Sequence, residues 1–270
     1  MGRLLWILAA AFAFAGCSAR PVISAAGPYA HLPALSGDYF PLRSKGGLGT
    51  YHIYIRYPEN YAKEPGKTYP TVYLLDGDST FPYLAPHHLF LTYDDKLPEA
   101  IVVGIAYGSF APPVNRRERD FGNGVVGFQA FLKDEVIPAV ERRTRSDPER
   151  RILVGQSRGG AFVLYSALSD PDLFWGRIAS NPSFAVNRDY LMRAEPPRPR
   201  RQDLKVAMVS GTLNNPQGRA GALEWLDGQM RAGHGAWSLR AIQIEGGTHA
   251  ADLPTAYRRS MRWLFDMEGR

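Results

Sequence analysis

The sequence predicts an α/β fold in which a mostly parallel central sheet carries helices on both faces. Three observations lead there. Short, continuous apolar runs at 70–75, 100–106, 152–154 and 204–210 have the length and β-branched character of strands buried on both sides. Stretches of helical period alternate with them, notably at 125–143 and 161–168. Finally, Gly155-Gln156-Ser157-Arg158-Gly159 joins one such strand directly to one such helix. At 270 residues, 45% of them hydrophobic and 12% aromatic, the chain can bury the core of one domain. It shows no internal repeat, low-complexity tract or heptad pattern.

The first residues stand apart from that core. Met1-Gly2-Arg3 carries a positive charge, residues 4–15 are apolar, and Phe14-Ala15-Gly16-Cys17 follows. The run is too short to span a bilayer, so residues 1–16 read as a signal peptide. Its end resembles a bacterial lipobox, with Cys17 as the lipidated first residue of the mature chain and Phe14 departing from the usual leucine. Cys17 is the only cysteine, which excludes a disulfide framework and a cysteine-based metal site. By the same resemblance Ser18 implies sorting to the outer membrane, hence a periplasmic, lipid-anchored protein. Residues 17–37, rich in Ala, Pro, Ser and Gly, read as a tether, and 38–270 as the folded domain. The net charge of +6 loses only Arg3 with the leader and suits an anionic ligand or membrane surface. Nucleic acid is not expected of an exported chain without a binding motif.

Within the domain, residues 51–57 alternate like a strand with one covered face, and 61–67 form a polar surface loop. The strand at 70–75 ends in Asp76-Gly77-Asp78-Ser79, read as a turn or loop. The strand at 100–106 leads into a long loop carrying Arg116-Arg117-Glu118-Arg119-Asp120-Phe121. That cluster is either a solvated charged face or an anion-recognition element, since several guanidiniums beside a site edge would bind a carboxylate or phosphate. The helix at 125–143 presents Phe128, Phe131, Leu132, Val136, Ile137 and Val140 on one face, and Pro138 is expected to kink it. Further strands are expected at 176–182, 204–210 and 237–244. Helices are expected at 219–232 and 254–267.

At the strand–helix junction the central serine is held out at the carboxyl edge of the sheet, as a nucleophile must be. Gly155 and Gly159 are expected to avoid collisions there. The backbone N–H of Arg158 opens the helix and would point at a carbonyl oxygen beside Ser157. A second donor is needed from the loop after a neighbouring strand, and the N–H of Asp78 fits, with an ordinary turn as the alternative. An α/β-hydrolase arrangement places the general base in the loop after the last strand, and His249 occupies that position. The acid should follow the penultimate strand, where the sequence offers Thr212-Leu213-Asn214-Asn215 and no carboxylate. Asparagine can orient an imidazole but cannot stabilise imidazolium as a carboxylate does. Asn214, or no third member, ranks ahead of Glu224, Glu245 and Asp252.

These residues resemble a family, the esterases of the α/β-hydrolase superfamily that include siderophore (enterobactin-type) esterases, esterase D and the mycolyltransferases. The resemblance spans residues 38–267. It rests on Tyr73-Leu74-Leu75-Asp76-Gly77, Gly104-Ile105-Ala106-Tyr107, the Arg-x-x-Asp-Phe element ending at Phe121, the stretch from Phe131 to Pro138, the elbow, and Gly247-Thr248-His249. It implies the α/β-hydrolase fold, Ser157 as nucleophile, His249 as base and the Asp78 and Arg158 amides as oxyanion donors. It also implies that Arg116, Arg117 or Arg119 lies near the substrate mouth, and no metal or organic cofactor. The family usually has an acidic residue near position 214, though some exported siderophore esterases are dyad-like. The expected activity is a periplasmic serine esterase acting on a catecholate tri-ester siderophore. An esterase for acylated carbohydrates or short-chain esters is the alternative, and a non-catalytic ligand-binding lipoprotein on the same fold is the rival from another class.

Overall fold

A computed structural model of the chain describes residues 37–233 and 235–268. The expected signal peptide, Cys17 and all of the expected tether except Gly37 lie outside the described residues. Among the described residues eight strands form one sheet: β1 (Gly37–Arg43), β2 (Thr50–Arg56), β3 (Tyr69–Leu74), β4 (Ile101–Ala106), β5 (Ser146–Gln156), β6 (Gly176–Ser180), β7 (Lys205–Gly211) and β8 (Ser238–Ile244). Their spatial order is β1-β2-β4-β3-β5-β6-β7-β8. The β1–β2 and β2–β4 pairs are antiparallel and the other five pairs are parallel. The expectation of a mostly parallel sheet is met. Gly37 and its successors, however, form an edge strand rather than the end of a tether.

Alternation along the central strands divides the core in two. Val72 and Leu74 of β3 join Val102, Ile152, Val154 and Ile178 beneath α1 (Gly77–Asp94) and α8 (Leu253–Leu264). Tyr73, Val103 and Leu153 face the opposite cluster. There the end of α2 (Arg117–Asp120), with α3 (Val125–Phe131), α4 (Ile137–Glu141), α5 (Arg158–Ser169), α6 (Arg188–Arg193) and α7 (Pro216–Ala232), places Phe121 (just after α2), Phe128, Val140, Phe162, Leu191 and Trp225. Both faces of the parallel strands are thus buried, which explains why they read as unbroken apolar runs.

Two features depart from simple expectation. The turn expected at Asp76 to Ser79 is instead the start of α1, whose interior holds Pro82 and Pro86. The bend expected at Pro138 takes the form of a π-helical turn over Leu132–Val136, in which the Ile137 N–H reaches five residues back to the Leu132 carbonyl. Proline has no N–H and crowds the carbonyl four residues earlier, so a widened turn just before it absorbs the clash.

Arg177 of β6 is fully buried, yet among the described residues its guanidinium forms no ion pair. It donates to the carbonyls of Ser166 and Asp170 at the end of α5, and to those of Pro171 and Phe174 beyond it, at 2.7–3.2 Å. Burial pushes its pKa down to about 9, which leaves it charged at neutral pH. A cation beneath a helix C-terminus satisfies carbonyls that lack partners within the helix. Arg177→Met should therefore lower stability by about 3 kcal/mol, read as a reduced urea midpoint with unchanged m-value.

Candidate active site

The site begins with a strained serine. Ser157 sits between β5 and α5 at φ 59°, ψ −119°, a conformation that costs a non-glycine residue about 1–3 kcal/mol. The surrounding fold holds it there: its N–H donates to the Ser180 carbonyl at 3.0 Å and its carbonyl accepts the Ser183 N–H at 2.9 Å. A Cβ on Gly155 would lie 2.3 Å from the Gly159 carbonyl oxygen, so strand and helix can meet only over a glycine. The second tight contact falls at Gly160, where a Cβ would lie 2.9 Å from the Ser180 oxygen. At Gly159 the tightest approach is milder, 3.2 Å to the Asp76 carboxylate, with Leu75 and Phe121 at ordinary contact distance. The sequence expectation had assigned that steric need to Gly159.

His249 stands on the loop between β8 and α8. Its Nε2 lies 2.9 Å from Ser157 Oγ and its Nδ1 lies 2.9 Å from Asn214 Oδ1. An amide oxygen only accepts, so Nδ1 carries the proton and Nε2 is left to accept from the serine hydroxyl. Burial foremost, and then the positive charge of Arg117, holds the His249 pKa below the usual imidazole value. The ring is therefore neutral at pH 7 and available as a base. Among the other carboxylates weighed, Glu224 pairs with Arg188 at 2.5 Å, and Asp252 accepts from the backbone N–H and hydroxyl of Thr248. Glu245 accepts from the Thr212 hydroxyl at 3.5 Å.

Two residues absent from the sequence expectation fix the histidine loop. Gln156 Nε2 donates to the His249 carbonyl at 2.5 Å. Asn181, in the left-handed region at φ 42° just beyond β6, donates from Nδ2 to the Thr248 and His249 carbonyls at 3.0 Å each. The one signal for Asn181 was its position, a polar residue closing a buried strand beside the nucleophile strand.

The two expected oxyanion donors occupy helix N-termini. Arg158 is the first residue of α5 and Asp78 the second of α1, positions whose N–H groups have no partner within the helix. The Asp78 carboxylate accepts the Tyr107 and Gly108 N–H groups at 2.7 and 2.8 Å, which locks the start of α1 to the end of β4. Gly77 permits that approach, since a Cβ there would lie 2.7 Å from the Ile105 nitrogen.

The arginines divide. Only Arg117 lines the cleft above Ser157, and it makes a two-point ion pair with Asp76 at 2.9 and 3.0 Å. Arg116 donates to the Val114 and Thr50 carbonyls and lies over the Tyr51 ring. Arg119 binds the buried Asp120 and the Leu48 carbonyl. Arg116 and Arg119 are engaged with the scaffold, and Arg117 is the member of the expected trio that borders the cleft. The cleft has a volume of about 370 Å³, and Asp78 and Phe110 are shared with an adjoining, largely apolar cavity of about 580 Å³ along α1. A further hollow of about 270 Å³, bordered by Phe184 and Gln217, lies on the other side of His249.

A serine on a strained strand–helix turn, facing a histidine from the loop after the last strand, defines an α/β-hydrolase. The chain belongs to the "Putative esterase" family, whose model matches residues 48–256, and it is an esterase. It is similar to the ferri-bacillibactin esterase BesA of Bacillus subtilis, 25% identical over 84% of this chain and 89% of that protein. It also resembles the apo-salmochelin esterase of Escherichia coli, 28% identical over 60% of this chain and 54% of that one. Among solved structures, the BES protein of Bacillus cereus shares the fold with a TM-score of 0.73 at 22% identity, covering 84% of this chain and 94% of that one.

His249 should titrate by NMR with a midpoint below the ordinary value of about 6.5. Arg117→Gln should move that midpoint upward, because removing a nearby positive charge favours imidazolium. An unchanged midpoint in the variant would show that burial alone sets it.

Proposed function

We propose that the protein is a periplasmic serine esterase that opens the ester bonds of a catecholate tri-ester siderophore by a Ser157–His249 mechanism. The observation that carries the mechanism is the pair of 2.9 Å contacts linking Ser157 Oγ to His249 Nε2 and His249 Nδ1 to Asn214 Oδ1. Ser157 Oγ attacks the ester carbonyl carbon while its proton passes to Nε2. The carbonyl oxygen becomes an oxyanion beside the Asp78 and Arg158 N–H groups. On collapse the ester C–O bond breaks, and the leaving alkoxide takes the proton from Nε2. Water then attacks the acyl-serine, with His249 again the base, releasing the carboxylic acid and restoring the hydroxyl.

The substrate class rests on the named relatives, which act on bacillibactin and salmochelin siderophores. The cationic Arg117 in the cleft and the apolar cavity beside it are consistent with aromatic arms that carry anionic oxygens. With an amide rather than a carboxylate behind the histidine, imidazolium is less stabilised than it would be beside an acid.

The compartment is part of the same proposal. The apolar leader, the lipobox-like Phe14-Ala15-Gly16-Cys17 and Ser18 support a protein held at the outer membrane by a lipid on Cys17. Among the described residues no helix is long and apolar enough to cross a membrane. Cys17→Ser should move the protein from the membrane fraction to the soluble one. Retention in the membrane would remove the lipid anchor from the proposal.

Intact-protein mass after treatment with a fluorophosphonate should show one adduct on the parent and none on Ser157→Ala. Turnover of a tri-ester siderophore should exceed that of acetylated sugars and nitrophenyl esters by at least about tenfold in kcat/KM, roughly 1.4 kcal/mol of transition-state binding. Equal turnover would reject the siderophore and leave a general esterase.

A further inference from the structure

Behind His249 the side-chain amides form a chain in which each is fixed by the next. The Asn181 oxygen accepts the Gly211 backbone N–H at 2.9 Å, while its nitrogen donates to the Thr248 and His249 carbonyls. Backbone donors and acceptors do not exchange roles, so only one orientation of the Asn181 amide is satisfied. Asn181 Oδ1 then accepts Asn214 Nδ2 at 3.1 Å. That contact, together with the Asn215 N–H donating to Asn214 Oδ1 at 2.8 Å, leaves the Asn214 oxygen facing His249 Nδ1. Both asparagines are almost wholly buried, at 2% and 5% exposure, so water cannot readily supply the missing partners.

We propose that Asn181 is a positioning residue that orients the Asn214 amide and through it the His249 tautomer, and that this relay requires a neutral amide at position 214. A carboxylate at 214 would keep one oxygen on His249 Nδ1 but turn the other toward Asn181 Oδ1, with no proton between them. Asn181 cannot flip to help, because its amide also serves Gly211, Thr248 and His249. The asparagine at 214 is thus the partner for which the surrounding site is built. The catalytic meaning of the relay rests on the serine–histidine reading above, but its structural content does not.

The test uses the full chain with nitrogen-15 in the histidine side chains, alongside steady-state turnover of a nitrophenyl ester. In the parent, His249 should be a single tautomer with the proton on Nδ1. Asn181→Gly keeps the left-handed backbone at no steric cost. It should give a tautomer mixture and lower kcat by about 10–100-fold, the usual effect of losing a partner that orients a ligating or catalytic histidine. KM should stay within about twofold, because Asn181 does not line the cleft. Asn214→Asp should lower kcat in the parent chain yet raise it in the Asn181→Gly chain, where the opposing oxygen is gone. Such a change of sign is a coupling that a merely structural role would not produce.

A single tautomer and parental kcat in Asn181→Gly, or a gain in kcat from Asn214→Asp in the parent, would overturn the relay. If Asn181→Gly does not fold, Asn181→Asp keeps the oxygen for Gly211 and Asn214 and removes the donors to the histidine loop. It should keep the single Nδ1–H tautomer, because the oxygen that orients Asn214 remains, and should make Asn214→Asp more damaging than in the parent; tautomer mixing, or no added loss of kcat, overturns the proposal equally. A parent with the Nδ1–H tautomer but neither turnover nor a fluorophosphonate adduct would sink the serine-esterase reading and leave the relay standing.

Discussion

The close meeting of β5 and α5 at Gly155 is the constraint on which the site depends. No side chain fits between that α-carbon and the Gly159 carbonyl, so the strand can turn into the helix only through a residue in a strained conformation. The strain is held by hydrogen bonds to β6 and the segment after it, so the serine's placement is a property of two neighbouring strands rather than of one loop. Everything else assembles at the same edge: the amides of α1 beyond β3, Asn181 beyond β6, Asn214 beyond β7 and His249 beyond β8. A parallel sheet with helices on both faces gathers these ends along one line, which is why such folds place their chemistry there.

Much of this was legible in the residues. The buried strands announced themselves as apolar runs because both their faces are covered, and the elbow followed from the spacing of its glycines. His249 could be named because its role is tied to a position in chain order. The helix over Gly77–Asp94 was not legible. Pro82 and Pro86 lie inside it, four residues apart, and prolines argue against a helix interior. Only the structure shows them on one face with Phe81 and Ala85, lining the apolar cavity. β1 was missed because Gly37 to Arg43 is an edge strand of mixed polarity, stabilised by its pairing with β2 rather than by its own pattern.

The arginines show a different limit. Sequence could place Arg116, Arg117 and Arg119 in one loop but not divide their work. That division depends on long-range partners: Thr50 for the first, Asp76 for the second and Leu48 for the third. A guanidinium can serve as a structural clamp or as a ligand for substrate, and composition does not separate the two uses. Asn181 was hidden for a related reason, since its importance comes from contacts with residues 30 and more positions away.

The antiparallel edge has a mechanical consequence. Gly37 pairs with Arg56, and Arg56 with Val102 near the start of β4, so the chain enters the sheet at the end away from Ser157. Any load-bearing attachment upstream of Gly37 would hold the domain from behind, like a stem, with the cleft turned outward toward diffusing solutes.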